Sequence, residues 1–356
     1  PTLEPGATMT DQVKTTIARI YAAYEAAAGD GLRTRISAST IGTPCSRELW
    51  YSFRWATSVA IEGQALRRSE TGRLSKPRVI ENLRAAGVDV YETDLMTDQA
   101  YKVSAHGGHF EGVLVGMARG FAEDSDTWYA LGCSTYKDKT FGSFKRRGLE
   151  KVRGEQYAEL QYYMGKYDLP KAFYIGVNKD NDELHSEIIY FDKGKFQELD
   201  KKAGNIIASD RPTEKISLDP TFFRCKFCRH SRTCHGTAAP EINCRTCAHS
   251  TPLDSGDGAW CCEYYSCAID TDTQKMGAQC PAHIYNPYLL ENYAGPVGAN
   301  PEDNSIHYCN QLTGKPFKNG GDGYSSVEIK ATQDKKLLGS DYVDSAKLVI
   351  NAEVTG

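Results

Sequence analysis

Apolar and polar positions recur along this chain with two different periods, one typical of helices and one of strands. Spacings of three and four residues predict helices at 11–28, 45–55, 77–86, 141–167 and 193–208. Short β-prone runs bounded by Gly, Asp or Ser predict strands at 88–92, 101–105, 109–117, 127–136, 172–178 and 185–191. This order predicts an α/β (α+β) core with a central mixed sheet flanked by helices.

The same pattern divides the chain into four segments. We expect residues 1–10 to be a disordered leader and residues 11–240 to form the α/β domain. Residues 241–284 are rich in cysteine and too polar for a large core, so we expect metal to hold them together. Residues 285–356 have weak periodicity and a glycine-rich turn, which predicts a small and partly irregular appendage.

Composition restricts the classes of function. The chain has 356 residues and a net charge of −4, so any contact with nucleic acid must be local. It has no apolar run of about 18 residues and no signal peptide pattern, which predicts a soluble, cytoplasmic protein without membrane partners. Nine of the 12 cysteines fall between 225 and 280, and such clustering favours metal binding over disulfides.

The first group of cysteines is Cys225, Cys228 and Cys234, which supplies three thiolates within ten residues. A cubane iron–sulfur cluster needs four such ligands, and Cys45 would be the fourth. The alternative is a zinc site completed by His230 or His235. The spacing by itself leaves both interpretations open.

A second group follows immediately. Cys244 and Cys247, then Cys261 or Cys262, then Cys280 have the spacing of a four-thiolate zinc site, with Cys267 and His283 as spare ligands. Four thiolates leave no open position for water, so such a zinc ion would be structural. The alternative is a set of buried thiols without metal.

Two short motifs carry a resemblance to a known family. Residues 44–51, Pro-Cys-Ser-Arg-Glu-Leu-Trp-Tyr, and the pair Gln156 and Gln161 around a tyrosine resemble motifs of RecB-like nucleases. From about residue 35 to 240 the chain resembles the iron–sulfur branch of these PD-(D/E)XK nucleases, which includes CRISPR-associated RecB-like exonucleases and AddB. It looks most similar to exonuclease-like proteins of tailed phages.

The resemblance implies a fold and its cofactors. It implies a PD-(D/E)XK restriction-endonuclease-like core closed by a 4Fe-4S cluster on Cys45, Cys225, Cys228 and Cys234. The phage pattern has one cysteine two residues after a tryptophan. It therefore favours Cys262 over Cys261 in a zinc knuckle whose ligands are Cys244, Cys247, Cys262 and Cys280.

The resemblance also implies that the catalytic residues have been replaced. Such nucleases bind Mg²⁺ through carboxylates on adjacent strands, with a lysine two residues after the second carboxylate. His109 matches the family histidine, but Val115, Gly132 and Ser134 stand where Asp, Glu and Lys are expected. We therefore do not expect Mg²⁺ or Mn²⁺ to bind, and we expect no nuclease activity.

Other residues could supply the missing chemistry. Glu111 would share a strand face with Val115, but four residues of strand span about 13 Å. Glu155 or Glu159 could reach the site from the following helix. A basic stretch, which is either a DNA-binding surface or a solvated helix face, contains Lys137, Lys139, Lys145, Arg146 and Arg147.

Three functions are compatible with these features. The first is an inactive nuclease homologue from a phage or mobile element, acting in the host cytoplasm. It would bind DNA or a host DNA-processing or defence complex and interfere with it. The second is an active Mg²⁺- or Mn²⁺-dependent exonuclease with relocated carboxylates. The third is a protein-interaction module with purely structural metal sites.

Metal content separates the two interpretations of the first cysteine group. Anaerobically purified protein should be brown and contain about four irons per chain, because a cubane cluster holds four iron atoms. Elemental analysis and the visible absorption spectrum measure this. A colourless protein that contains only zinc would contradict the cluster.

Overall fold

The computed structural model describes residues 9–58, 61–236, 238–254, 257–311 and 314–333. The helices are α1 (Met9–Ala28), α2 (Ala38–Ile41), α3 (Ser46–Phe53), α4 (Gly63–Ala85), α5 (Asp138–Val152), α6 (Gly154–Tyr167), α7 (Lys193–Ala208), α8 (Phe223–Lys226), α9 (Ser231–Cys234), α10 (Thr271–Lys275) and α11 (Ser326–Gln333). The strands are β1 (Ile36–Ser37), β2 (Asp89–Tyr91), β3 (Lys102–Ala105), β4 (Phe110–Val113), β5 (Met117–Arg119), β6 (Tyr129–Tyr136), β7 (Lys171–Asn178), β8 (Leu184–Tyr190), β9 (Ser250–Pro252), β10 (Trp260–Cys262), β11 (Cys267–Ile269), β12 (Ala294–Asn300), β13 (Ser305–Asn310) and β14 (Pro316–Gly320).

The chain folds as two compact units built from interleaved segments. Unit 1 contains residues 1–31, 58–102 and 113–193, and unit 2 contains residues 32–57, 103–112 and 194–356. This division differs from the four expected segments, because residues 32–57 and 194–240 group with the C-terminal part of the chain. The expected leader, 1–10, lies outside the described residues except at its end, where α1 begins at Met9.

Unit 1 is built on a five-stranded mixed sheet with the strand order β2-β5-β6-β7-β8. Strands β6 and β7 are parallel neighbours joined through α5 and α6, and the other neighbouring pairs are antiparallel. Parallel neighbouring strands need a long crossover connection, here α5 and α6, because a tight turn would make the second strand antiparallel to the first. The predicted mixed sheet flanked by helices is confirmed.

One face of this sheet forms an apolar core. Helix α4 contributes Val79, Ile80 and Leu83, which share one helix face and pack with side chains of β6 and β7. Phe121 stacks on Phe173 with ring centroids 4.1 Å apart. The core therefore fixes the position of α4 relative to β6.

Two predicted elements differ from those observed. Helix α4 begins at Gly63 rather than at Pro77, and the proline lies inside it. The exposed first half of α4 has no apolar period to reveal it. The strand predicted at 109–117 is two strands, β4 and β5, which belong to different sheets. Glu111 and Val115 therefore do not share a strand, and that prediction was wrong.

Unit 2 contains three small sheets, β1-β4-β3, β11-β10-β9 and β12-β13-β14. The last of these is antiparallel and occupies the region expected to be partly irregular. Its strand β12 carries Gly295 and Gly298, and its register shifts between Pro296 and Gly298. Glycines and a bulge interrupt the alternation of apolar and polar residues by which a strand is predicted. This explains why an irregular segment was expected where β12 is observed.

No helix among the described residues is both long and apolar enough to span a membrane.

The aromatic core of unit 1 should dominate its stability. Phe173→Ala should lower the free energy of unfolding by about 3–5 kcal/mol, because it leaves a cavity against Phe121 and Tyr129. Urea unfolding monitored by circular dichroism measures this. The matched control is Leu184→Ala at a half-exposed position, which should cost less than about 0.5 kcal/mol. Equal effects of the two substitutions would contradict the assignment of this core.

Candidate functional site

A single large pocket of unit 1 brings together the three positions singled out in the sequence. Val115, Gly132 and Ser134 all line a cavity of about 930 Å³. Helix α4 forms one wall, the second half of β6 forms the floor, and α6 forms another wall. A cavity of this size is ample for a ligand larger than an ion.

Neutral groups occupy the floor of the pocket. Gln156 donates through Nε2 to Ser134 Oγ at 3.1 Å and accepts at Oε1 from Tyr174 OH at 2.7 Å. The hydroxyl of Tyr136 lies 2.7 Å from that of Tyr174 and extends the chain. Burial raises the pKa of Tyr174, so this hydrogen-bonded chain stays uncharged at neutral pH.

A side chain at Gly132 would press against the side chains of Leu160 and Tyr174. A Cβ atom there would lie 3.0 Å from the Tyr174 ring and 3.1 Å from a Leu160 methyl group. A glutamate at this position would displace both neighbours. The packing of Leu160 and Tyr174 therefore suits glycine at this position.

Glu159 supplies the one carboxylate among the described residues that line the pocket. Burial raises its pKa, which Lys76 and the Tyr163 hydroxyl, 3.4 Å away, partly oppose. The other two acids considered as substitutes are elsewhere. Glu155 is exposed and does not line the pocket, and Glu111 of unit 2 pairs with Arg35 at 3.0 Å.

Cations surround the pocket. Its described lining includes Arg67, Arg68, Arg73, Lys76, Lys137, Arg153 and Lys179. Four of these, Arg67, Arg68, Arg73 and Lys76, come from the exposed first half of α4. These cations were not among the predicted site residues, although the sequence shows a concentration of arginine and lysine between 67 and 78.

The predicted basic stretch is divided by the fold. Lys137 lines the pocket, whereas Lys139, Lys145, Arg146 and Arg147 are exposed residues of α5 that do not. Lys145 pairs with Glu183 at 2.6 Å. The pocket therefore gathers its positive charge mainly from α4.

The motif residues His109 and Gln161 have structural surroundings. His109 is fully buried in unit 2, with Nε2 3.0 Å from the Leu253 carbonyl, and burial lowers its pKa. In unit 1, buried Gln161 donates to the Tyr190 carbonyl at 2.9 Å and accepts from the Asp192 amide at 2.8 Å. It ties α6 to the end of β8.

The first cysteine group converges in unit 2. Cys45, Cys225, Cys228 and Cys234 all line one small cavity. Burial raises the pKa of Cys228 to about 12, and the charges of Cys45 and Cys234 add to the rise. Thiols that resist ionisation alone become good ligands when a metal displaces their protons.

Cationic groups lie beside this cavity. Arg47 and Lys215 line it and both counter the burial-driven rise in the pKa of the Cys234 thiol. His230 is buried with Nε2 2.8 Å from the Ser52 hydroxyl, and its Nδ1 has no hydrogen-bond partner among the described residues. The donor set of four thiols with flanking cations fits an anionic thiolate cluster.

The second cysteine group also gathers, in a looser arrangement. Burial raises the pKa of Cys244 to about 12, with further contributions from Cys247, Cys280 and Cys262. The Cys244 thiol donates to the Thr273 carbonyl at 3.6 Å. His283, a spare candidate, is held by Ser326 at 2.8 Å and by the Asn243 carbonyl at 3.1 Å. Cys267, the other spare, is exposed.

Neither group has the geometry of a single-ion site. Among the described residues, no three His, Cys, Asp or Glu side chains are close enough to hold one metal ion. Four thiolates 2.3 Å from one zinc ion would lie about 3.8 Å apart. A cubane cluster presents four separate irons, so its thiolates lie farther apart than the ligands of one ion. The four cysteines of the first group line one cavity, as the ligands of a cluster would.

Comparison with known proteins yields only distant similarity. No protein-family model matches the chain, and no curated protein matches it. A solved structure of LHK-Exo in complex with dAMP is 16% identical, with a TM-score of 0.36, over 54% of this chain and 91% of that one. The structure of LHK-Exo, described as an alkaline exonuclease from Laribacter hongkongensis, is 15% identical, with a TM-score of 0.35, over 52% and 91%.

Gly132 should tolerate no side chain. Gly132→Ala should lower the free energy of unfolding by about 1–3 kcal/mol, because the new methyl group overpacks the contact with Leu160 and Tyr174. Thermal and urea unfolding measure this. The matched control is Gly142→Ala within α5, where the nearest group is the flexible end of Arg146 and alanine favours the helix by about 0.5–1 kcal/mol. A neutral Gly132→Ala would contradict the packing described here.

Proposed function

We propose that this chain is a nuclease-like protein that binds nucleic acid in the unit 1 pocket without cutting it. One observation carries the proposal. Among the described residues, seven cations and a single carboxylate line a pocket that has Val115, Gly132 and Ser134 where the resemblance places catalytic residues. The mixed α/β fold with a central sheet supports a nuclease-like origin.

The charge balance of the pocket favours phosphate over metal. A nuclease site lined by carboxylates repels phosphates until Mg²⁺ neutralises it. Here the one carboxylate, Glu159, has a raised pKa, and Mg²⁺ would find few hard oxygen ligands. Arginine and lysine can instead contact phosphate oxygens directly through charge-assisted hydrogen bonds. Binding should therefore be independent of divalent ions.

The metal sites belong to this proposal as structural elements. A 4Fe-4S cluster on Cys45, Cys225, Cys228 and Cys234 would join segments about 180 residues apart in unit 2. A zinc ion on Cys244, Cys247, Cys262 and Cys280 would hold the following segment together, and its binding would have to draw these thiols closer to one another than they lie in this structure. The cavity that the four cysteines of the first group line supports the cluster. The effect of Cys247, Cys280 and Cys262 on the pKa of the Cys244 thiol supports the zinc.

The biological role that we propose is interference. A protein that holds DNA without cutting it could occupy DNA ends or engage a host DNA-processing or defence complex as a decoy. The resemblance to exonuclease-like phage proteins suggests an origin in a phage or mobile element. The cationic lining of the pocket supports a role in binding DNA.

A second candidate is an exonuclease with a relocated carboxylate. Glu159 favours it, because this residue shares the pocket with Gln156 and Lys76. A single carboxylate can hold Mg²⁺ when substrate phosphates and water complete its coordination. The two candidates differ in whether DNA is degraded.

The proposal predicts binding without degradation. Linear and single-stranded DNA incubated with Mg²⁺ or Mn²⁺ should remain intact on gels, and binding should persist in EDTA because the cations contact phosphate directly. Arg68→Gln combined with Lys76→Gln should weaken binding and reduce the slope of log K against log salt by about 2.

Matched charge removal provides the control. Arg146→Gln with Arg147→Gln removes two exposed cations from α5, outside the pocket, and should have a smaller effect. Metal-dependent degradation that Glu159→Gln abolishes would replace the proposal with the exonuclease. Equal loss of affinity in the two double variants would refute the role of the pocket.

A further inference from the structure

The cysteine loop, residues 222–235, presents an unusual outer surface. It carries Arg224, Lys226, Arg229 and Arg232 and has no acidic residue. Helices α8 and α9 wind the loop so that its cysteines line the cavity while its cations are exposed. Arg224 also lines the cavity, whereas Lys226, Arg229 and Arg232 do not, so most of the positive charge of the loop lies away from the cavity.

Two phenylalanines lie on the exposed side. Phe223 is 60% exposed and Phe227 is 82% exposed, although each would gain free energy by burial. Each ring has a cation beside it. The Arg224 guanidinium lies 5.4 Å from the Phe223 ring centroid, and Lys226 Nζ lies 5.8 Å from that of Phe227.

We propose that this loop is a binding surface for single-stranded nucleic acid. Exposed aromatic rings are stacking platforms for bases, and adjacent cations hold the backbone phosphates. Phe223 and Phe227 are four residues apart across a helical turn, which separates their Cβ atoms by about 5–6 Å. That separation suits successive bases of a stretched single strand, since stacked bases in a duplex are about 3.4 Å apart.

Chemistry separates this ligand from the other possible occupants. A protein partner that used two phenylalanines would need an apolar surface around them, whereas here four cations interrupt it. In a duplex the base faces are already stacked and unavailable to the rings. The surface lies in unit 2 and uses none of the residues of the unit 1 pocket. The loop is therefore proposed as a second contact with nucleic acid, and it can be tested independently of the pocket.

Substitutions in the full-length protein test the platform. Phe227→Ala should weaken binding of a labelled oligothymidylate of about 20 nucleotides by about 5- to 100-fold, measured by fluorescence anisotropy. Phe227→Tyr should bind like the wild type, because it keeps an aromatic face, whereas Phe227→Leu should bind like the alanine variant. Wild-type affinity in the leucine variant would overturn base stacking in favour of a simple apolar contact.

Charge and salt dependence provide a second measurement. Arg224→Gln with Lys226→Gln should reduce the salt slope for the single strand by about 1.4, whereas the phenylalanine variants should leave it unchanged. Matched controls are Val297→Ala, an exposed apolar residue, and Lys201→Gln, an exposed cation of α7. Loss of affinity in the controls equal to that in the loop variants would overturn the proposal.

Photochemical cross-linking tests the position of the contact directly in the wild-type protein. An oligonucleotide with iodouracil in place of thymine should cross-link to the peptide that contains residues 222–235, as located by mass spectrometry.

Two outcomes would overturn the assignment. One is that cross-links are found only elsewhere in the protein, and the other is that Phe227→Ala weakens the binding of duplex and single-stranded DNA equally. The cross-link should persist in the Arg68→Gln and Lys76→Gln variant, so failure of the pocket and failure of the loop are distinguishable.

Discussion

A buried guanidinium organises unit 2. Arg245 donates through Nη1 to the carbonyls of Thr34 and Phe53, at 2.9 and 3.0 Å, and through Nε to Gln274 at 2.7 Å. Its guanidinium lies 3.9 Å from the Trp55 ring centroid. A charge survives in the interior only where its donors are satisfied, and burial still lowers this pKa to about 9. The arrangement fixes an early segment of the chain against the second cysteine segment, which the fold of unit 2 requires.

Positive charge is distributed locally although the whole chain is acidic. The net charge is −4, yet both the unit 1 pocket and the cysteine loop are bordered by cations. Each surface also has a neutral, shaped element, a hydrogen-bonded floor around Gln156 in the pocket and two exposed rings in the loop. Cations alone bind phosphate without discrimination, whereas a shaped neutral surface beside them can select the form of the ligand.

Much of the fold followed from local pattern. Four of the strands of the central sheet, β2, β6, β7 and β8, and the helices between β6 and β7 were predictable, because buried elements carry periodic apolar residues. Exposed or irregular elements carried no such signal. The first half of α4 is polar on its exposed faces, and β12 is interrupted by glycine, so neither was predicted. The break between β4 and β5 depends on pairing with different sheets, which a single strand pattern cannot reveal.

The sequence by itself determined the chemistry available to the candidate sites. No fold can give a carboxylate to Val115 or Gly132, and the short spacing of Cys225, Cys228 and Cys234 keeps these three thiols in one segment. The tertiary structure alone decided which groups share a site. It brought the α4 arginines to the pocket, buried His109 away from solvent and left Leu160 and Tyr174 against Gly132. Proximity between residues distant in sequence is set by packing, and packing is a property of the folded chain rather than of any short segment.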